Sequence, residues 1–303
     1  MSRTSVELKS EALRAALRAA LGGRTRDLED LLARHGGLPG RPNLKLAAAF
    51  GAELADMPGS LAPLLERFAD EDCAPNDPRA YLPIAAAHAW MQRARAGHEV
   101  ESAWSALHVL AADPRAPVRL GTRQALHEAA LREGGADALV VRATAWLDDE
   151  QDRELEWSAA ALVIETLSDP QIQGVVRDHE AMLGYLSRVM DAMASAPRAA
   201  SRSEGRGRVL LSLPLALARV VAFVRAQDRG FEWFRGECSQ ASHPDLRAAL
   251  SKALIQLTQD ARSPGAAAIA ELRKALEASA KPIRDAARVR PGHGRGRRSR
   301  AVR

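Results

Sequence analysis

Apolar residues recur at helical spacing along almost the whole chain, and this periodicity restricts the fold more than any other feature of the sequence. They lie in segments of about 10 to 20 residues separated by Gly, Pro, Asp or Asn, a pattern typical of helices with short connections. Ala and Leu dominate the apolar residues, only 4% of residues are aromatic, and β-branched residues are scattered. Such a composition favours helices over strands. The sequence therefore predicts an all-α fold.

Helix boundaries follow from the same pattern. Asn43 or Pro42 is expected to begin a helix, because both residue types suit a helix N-terminus. Longer stretches of helical periodicity predict single helices at about 152–168, 171–194 and 208–228.

Three segments share an internal pattern. Each opens with an acidic residue or Pro, continues with an aliphatic-Arg pair, and then places small and aliphatic residues at helical spacing. They are DPRAPVRLGTRQALHEAAL at 113–131, HPDLRAALSKALIQL at 243–257 and KPIRDAARVR at 281–290. The aliphatic residue would enter a shared core, and Arg119 or Arg247 would reach a carbonyl or carboxylate of the adjacent repeat.

This pattern resembles the second helix of a HEAT repeat. Leu246 and Ile283 are 37 residues apart, near the period of roughly 40 to 47 residues expected for HEAT arrays. The resemblance implies an α-solenoid of stacked antiparallel helical hairpins. The alternative is an Ala-rich helical bundle in which these matches arise by chance.

Composition divides the chain into four parts. The segment 195–208, SAPRAASRSEGRGR, lacks hydrophobic periodicity and is expected to be a flexible basic loop. It would separate an N-terminal helical-repeat lobe at 1–194 from a C-terminal lobe at 209–287, or it is an insertion in one array. Residues 288–303 are Gly- and Arg-rich with few apolar residues, so we expect a disordered tail.

The positive charge of the chain comes from that tail. The formal net charge is +5, and residues 288–303 contain seven arginines and no acidic residue. Subtracting seven from +5 leaves residues 1–287 with a formal net charge of −2. The tail is therefore either a nonspecific nucleic-acid or acidic-protein contact or a solubilising extension. Five arginines near its end are the candidates for contacts with nucleic acid: Arg295, Arg297, Arg298, Arg300 and Arg303.

The sequence lacks the signals that mark several classes of protein. Cys73 and Cys238 form no CxxC unit, which fits a reducing cytosol, so we expect a cytoplasmic protein. The most apolar segment, at 209–224, contains Pro214 and Arg219 and is shorter than the roughly 20 residues that a membrane span requires. A helix buried between hairpins is the expected structure there. No known catalytic or metal-binding motif occurs, so neither a metal site nor a cofactor is expected.

The segment TAWLDDEQDRELEWSAAALVIETL at 144–167 concentrates tryptophan and acid. One interpretation is a hairpin turn whose acidic residues lie at a helix N-terminus, where the macrodipole favours them. The other is a ligand site in which Trp146, Arg153 and Trp157 make contacts. These alternatives stay open at the level of sequence.

In its length, helical hairpins and tryptophan content, the chain also resembles the HEAT-like-repeat alkylpurine DNA glycosylases. That family uses a carboxylate, an arginine and aromatic residues on a concave face. The resemblance implies that Trp146 would shield a damaged base and that Asp149 would stabilise the cationic sugar as the base departs. It would make the protein a DNA-repair enzyme.

A second aromatic cluster, GFEWF at 230–234, offers Phe231, Trp233 and Phe234 either to the core or to a partner as an exposed ridge. Taken together, the sequence favours a non-enzymatic HEAT-like scaffold that binds a protein or peptide on its curved face. The alternative is a DNA-binding repair protein.

Overall fold

The computed structural model describes residues 10–147, 153–196, 200, 202–223, 227–260 and 262–280. These residues form fifteen α-helices and a 3₁₀ helix at Pro78–Ala80, with no strand among them, so the all-α prediction is confirmed. The helices are α1 (Ser10–Leu21), α2 (Arg26–His35), α3 (Leu44–Ala55), α4 (Ala62–Ala69), α5 (Tyr81–Arg95), α6 (Val100–Ala111), α7 (Ala116–Ala130), α8 (Gly135–Leu147), α9 (Arg153–Leu167), α10 (Pro170–Val175), α11 (His179–Ser195), α12 (Glu204–Phe223), α13 (Gln227–Gln240), α14 (Pro244–Gln259) and α15 (Ala266–Ala278).

The helices contact one another in a serial order. In one row α3 packs on α5, α5 on α7, α7 on α9, α9 on α12, and α12 on α14. In the other, α4 contacts α6, α8 contacts α11, α11 contacts α13, and α13 contacts α15. Helices adjacent in sequence, such as α5 and α6 or α14 and α15, connect the two rows.

Helices α5 and α9 are enclosed by their neighbours. Every residue at 81–91 and at 156–164 is buried. Both helices carry consecutive alanines, at 85–87 and 159–161, and small side chains let neighbouring helices approach closely. These two helices therefore run through the core of the protein.

The fully buried Arg93 connects the turn after α3 to the turn after α5. Its guanidinium donates hydrogen bonds to the main-chain oxygens of Leu54 (3.0 Å), Met57 (3.0 Å) and Gly59 (2.8 Å). Its Nε donates to Glu99 Oε2 at 2.6 Å. The charge of Arg93 is thus paired, and carbonyls at the end of α3 and in the turn after it gain a side-chain donor.

Glu99 extends this connection to the next helix. Its Oε1 accepts hydrogen bonds from the main-chain N–H groups of Leu61 (3.0 Å) and Ala62 (3.1 Å), at the N-terminus of α4. Arg93 and Glu99 therefore cap both helix ends at the α3–α4 turn. We refer to this pair as the Arg93–Glu99 clamp.

Of the two arginines predicted to reach a neighbouring repeat, Arg247 contacts a neighbouring helix end and Arg119 does not. Arg119 donates to the main-chain oxygens of Asp113 and Pro114, within its own turn. Arg115 instead reaches the preceding pair of helices and donates to the Glu71 main-chain oxygen at 2.6 Å. Arg247 contacts Ala241 O and the Ser279 hydroxyl, so it joins the ends of α13 and α15.

Some boundaries differ from the prediction. The single helix expected at 171–194 is two helices, because 176–178 leave helical geometry and Asp178 Oδ1 caps α11 by accepting from Ala181 N at 2.9 Å. Helix α12 begins at Glu204, inside the segment predicted as a loop. Asn43 is the N-cap of α3, as predicted, and its side chain accepts from Leu46 N.

Helices on both sides of 195–208 are in direct contact, since α9 packs on α12 and α11 on α13. The apolar segment at 209–224 falls mainly in α12, which packs between α9, α13 and α14 as the sequence indicated, but Leu211 and Leu215 are exposed. Within the ranges that the structure covers, no helix is long and apolar enough to cross a membrane.

Candidate partner-binding groove

A groove of about 460 Å³ crosses three helices of the first row. The C-terminal part of α9 lies between walls formed by α7 and α12. We call it the central groove, and its lining residues are Arg123, Gln124, His127, Glu165, Thr166, Ser168, Asp169, Leu211, Ser212, Leu215 and Arg219.

One end of the central groove is organised around Glu165. Its Oε2 lies 3.5 Å from Nη1 of Arg123, which comes from α7. Its Oε1 accepts a hydrogen bond from Ser212 Oγ of α12 at 3.0 Å. One carboxylate thus interacts with both walls, and each partner remains partly exposed.

The other end contains Asp169 and Arg219. Asp169 Oδ2 lies 3.3 Å from His127 Nε2, while Oδ1 of the same carboxylate caps α10 by accepting from Gln171 N. Arg219 donates to the Ser168 main-chain oxygen at 2.8 Å. This end is polar, with charges of both signs held in place by neighbouring groups.

Exposed leucines border these polar groups. Leu211 is 79% exposed and Leu215, one helical turn later, is 38% exposed. Leu120 is 39% exposed and precedes Arg123 and Gln124 by about one turn on α7. Exposed aliphatic side chains next to fixed polar groups are the combination found at protein-binding surfaces.

The sequence did not single out these leucines. The apolar residues of α12 are distributed over all sides of the helix. Its sequence therefore indicated a fully buried helix and gave no signal for an exposed face. The histidine–carboxylate contact was also not predicted, because His127 lies on α7 and Asp169 lies in the turn between α9 and α10.

The tryptophan predicted to contact a damaged base lies in an aromatic cluster. Trp146 is 9% exposed and stacks on His108, with ring centroids 4.8 Å apart and planes at 5°. Trp104 meets Trp146 edge-on at 5.9 Å, and Arg142 lies 5.9 Å from the centre of the Trp104 ring. The ring of Trp146 therefore packs α8 against α6 and leaves little surface for a ligand.

The described residues show no site formed around Trp146 by the other residues predicted there. Asp149 lies outside the described residues. Arg153 is the first residue of α9, and its side chain also lies outside the description. Trp157 is 2% exposed and belongs to the core.

The GFEWF segment does not form an exposed ridge. Phe234 is fully buried, and Phe231 is partly buried against the core. Trp233 Nε1 donates to Ser187 Oγ at 2.8 Å, and that hydroxyl donates to Glu237 Oε1 at 2.5 Å. Burial raises the pKa of Glu237. These aromatic residues hold α13 on α11.

The five tail arginines predicted to contact nucleic acid lie outside the described residues. Among the residues that are described, no group of three or more His, Cys, Asp or Glu side chains is arranged to hold a metal ion. Comparison with known proteins found no matching family model, curated protein or solved structure.

Proposed function

We propose that this protein is a non-enzymatic HEAT-like α-solenoid that binds a protein or peptide partner along the central groove. The observation that carries the proposal is the pair of exposed leucines, Leu211 and Leu215, beside fixed charges of both signs. The fitting partner segment presents aliphatic side chains to these leucines and polar groups to Glu165 and Arg123.

The order of helix contacts supports the solenoid. Each helix of the first row contacts the helix two or three places along the chain, as stacked hairpins do. Arg115, which follows α6, also donates a hydrogen bond to the main-chain oxygen of Glu71, which follows α4 in the preceding hairpin. In such an array, grooves that cross consecutive repeats provide extended binding surfaces.

The test begins by replacing Leu215 with a photo-crosslinking amino acid in cells and identifying the captured protein by mass spectrometry. The captured protein is then purified, and its Kd is measured for the wild type, Leu211→Asp and the control Val141→Asp. Val141 is 64% exposed on α8, away from the central groove. Burying a leucine contributes about 1.5 to 3 kcal/mol, so Leu211→Asp should weaken binding at least about tenfold.

The control should bind like the wild type, and both variants should retain the wild-type Tm. Equal binding by Leu211→Asp and the wild type would remove the central groove from the proposal. Release of modified bases from alkylated DNA, abolished by Asp149→Asn, would instead favour the repair enzyme over the scaffold.

A further inference from the structure

A second groove, with a volume of about 930 Å³, lies on the second row of helices, between α4 and α6. We call it the acidic groove. Its lining residues are Glu66, Ala69, Asp70, Trp90, Glu101, Ser102, Ser105, Ala106, Val109, Leu110, Ala112, Asp113 and Pro114. None of them belongs to the central groove, so the two surfaces are separate.

The lining contains four carboxylates and no lysine or arginine. Glu101 is held by Arg142 through two contacts of 2.6 Å, and Asp113 is held by Arg115. Glu66 and Asp70 are exposed and form no ion pair with any residue that the structure describes. The acidic groove therefore has negative charge available for a cationic ligand.

Apolar and polar groups of the wall suit a peptide. Val109 is 57% exposed between Ser102, Ser105 and Ala106, which are small enough to leave space beside it. Trp90 is fully buried behind the wall, and its indole N–H has no hydrogen-bond acceptor within the described ranges. A buried donor without an acceptor is unfavourable, and Trp90 belongs to the lining of the acidic groove.

The chain itself contains a segment of matching charge. Residues 288–303 carry seven arginines and no acid, whereas residues 1–287 have a formal net charge of −2. Arginine suits such a site, because its guanidinium pairs with carboxylates through two parallel hydrogen bonds.

If the hairpins are stacked as proposed above, the ends of the helices place Ala280, the last described residue before this segment, on the same edge as the acidic groove. Ser279, after α15, donates to the Ala241 main-chain oxygen in the turn before α14. Arg115, after α6, donates to the Glu71 main-chain oxygen that follows α4. These hydrogen bonds join the turns that follow α13 and α15 and the turns that follow α4 and α6. In a stack of hairpins, such turns lie at one edge.

The chain after α15 is long enough to reach the acidic groove. Four helix spacings separate α6 from α15 in the second row, which is about 40 Å at the usual interaxial distance of up to 10 Å. The 23 residues after Ala280 span at most about 80 Å when extended. The arginines near the end of the chain can therefore reach Glu66 and Asp70.

We propose that the acidic groove binds the arginine-rich segment 288–303 of the same chain. Glu66 and Asp70 pair with its guanidinium groups, and Val109 contacts the aliphatic parts of the same side chains. Arginines held there are unavailable to nucleic acid or to an acidic protein.

The experiment places a photo-crosslinking amino acid at Ser105 of the full-length protein and maps the crosslinked peptides by mass spectrometry. The expected product joins position 105 to a peptide from 288–303. Its yield should fall at least about fivefold in Glu66→Gln/Asp70→Asn and should decrease as salt rises, because exposed ion pairs are screened. The matched control, Asp27→Asn/Asp30→Asn, neutralises two exposed carboxylates on α2 and should leave the yield unchanged.

Each of the following results would overturn the proposal. One is a yield that Glu66→Gln/Asp70→Asn leaves unchanged, or crosslinks that lie outside 288–303. Another is a product that joins two chains, detected by mixing isotopically labelled and unlabelled protein, which would assign the segment to a second copy. Leu211 takes no part in this experiment, so its outcome does not depend on the central groove.

Discussion

His88 is a residue whose surroundings favour its neutral form. Its side chain is 1% exposed, and neither ring nitrogen has a hydrogen-bond partner in the described part of the chain. Nδ1 lies 3.7 Å from Glu128 Oε2 of α7. Burial lowers the pKa of His88, and the charge of Glu128 opposes that shift only partly.

This lowered pKa makes the stability of the protein depend on pH. Below about pH 6.5, where an unfolded histidine takes up a proton, the native state resists protonation, so the free energy of unfolding should decrease. The loss is at most about 1.4 kcal/mol for each pH unit between the two pKa values. This loss is absent above the pKa of histidine in the unfolded chain, because His88 is then neutral in both the folded and the unfolded state.

Urea unfolding at pH 7.5 and pH 5.5 tests this prediction. The decrease in the free energy of unfolding between the two values should be smaller in His88→Gln than in the wild type. His98→Gln, in which a partly exposed histidine is replaced, should keep the wild-type decrease. An identical pH dependence in His88→Gln and the wild type would show that another group is responsible.

At the scale of the element, the close approach of α3 and α5 depends on Gly51. A Cβ atom at this position would lie 2.7 Å from the main-chain oxygen of His88, which cannot move without shifting α5. Gly184, on α11, has nothing within 4 Å of the same hypothetical atom. The two glycines therefore offer a matched comparison within helices.

We expect opposite effects from the two substitutions. Gly51→Ala should lower the free energy of unfolding by about 1 to 3 kcal/mol, because it forces apart two packed helices. Gly184→Ala should raise it by about 0.5 to 1 kcal/mol, because alanine restricts the unfolded chain and favours the helix. Chemical denaturation measures both, and a stabilising Gly51→Ala would contradict the close packing of α3 on α5.

The type and existence of most elements followed from apolar spacing, while their breaks and exposed faces did not. The break at 176–178 contains no Gly or Pro, and Asp178 became recognisable as a cap only from its hydrogen bond. Similarly, Leu211 looks like its buried neighbours in α12, because periodicity cannot tell which side of an apolar helix other helices leave uncovered.

Over the whole molecule, the Arg93–Glu99 clamp couples the N-terminal helices to the rest. Arg93 is fully buried and donates to main-chain oxygens at the end of α3 and in the turn after it, so its removal takes the ion-pair partner from Glu99 and the side-chain donor from the Met57 and Gly59 carbonyls. Breaking a buried ion pair by removing one partner costs about 3 to 5 kcal/mol. In an array of nearest-neighbour contacts, that loss should stay local.

Hydrogen exchange of Arg93→Met should therefore show faster exchange in α3 and α4, with little change in α14 and α15. Arg95→Met is the control, because Arg95 is exposed and its NH1 contacts only Gln92 among the described residues. Equal acceleration along the whole chain would indicate a single cooperative unit in place of locally coupled helices.

The sequence also could not predict which tryptophans are accessible. Trp146 and Trp157 flank an acidic segment that resembles a ligand site, yet Trp146 stacks on His108 and Trp157 enters the core. His108 and Trp146 are 38 positions apart, and only the packing of α6 against α8 brings their rings together.

The burial of α9 over 156–164 has a consequence for how the chain could be divided. Its surface is shared between α6, α7 and α8 on the N-terminal side and α12 on the C-terminal side. A cut in the connection between α11 and α12 would leave one fragment with the uncovered side of α9 and the other with the matching side of α12. Two separately produced fragments should therefore reassemble by complementation, with this pair of helices as their seam.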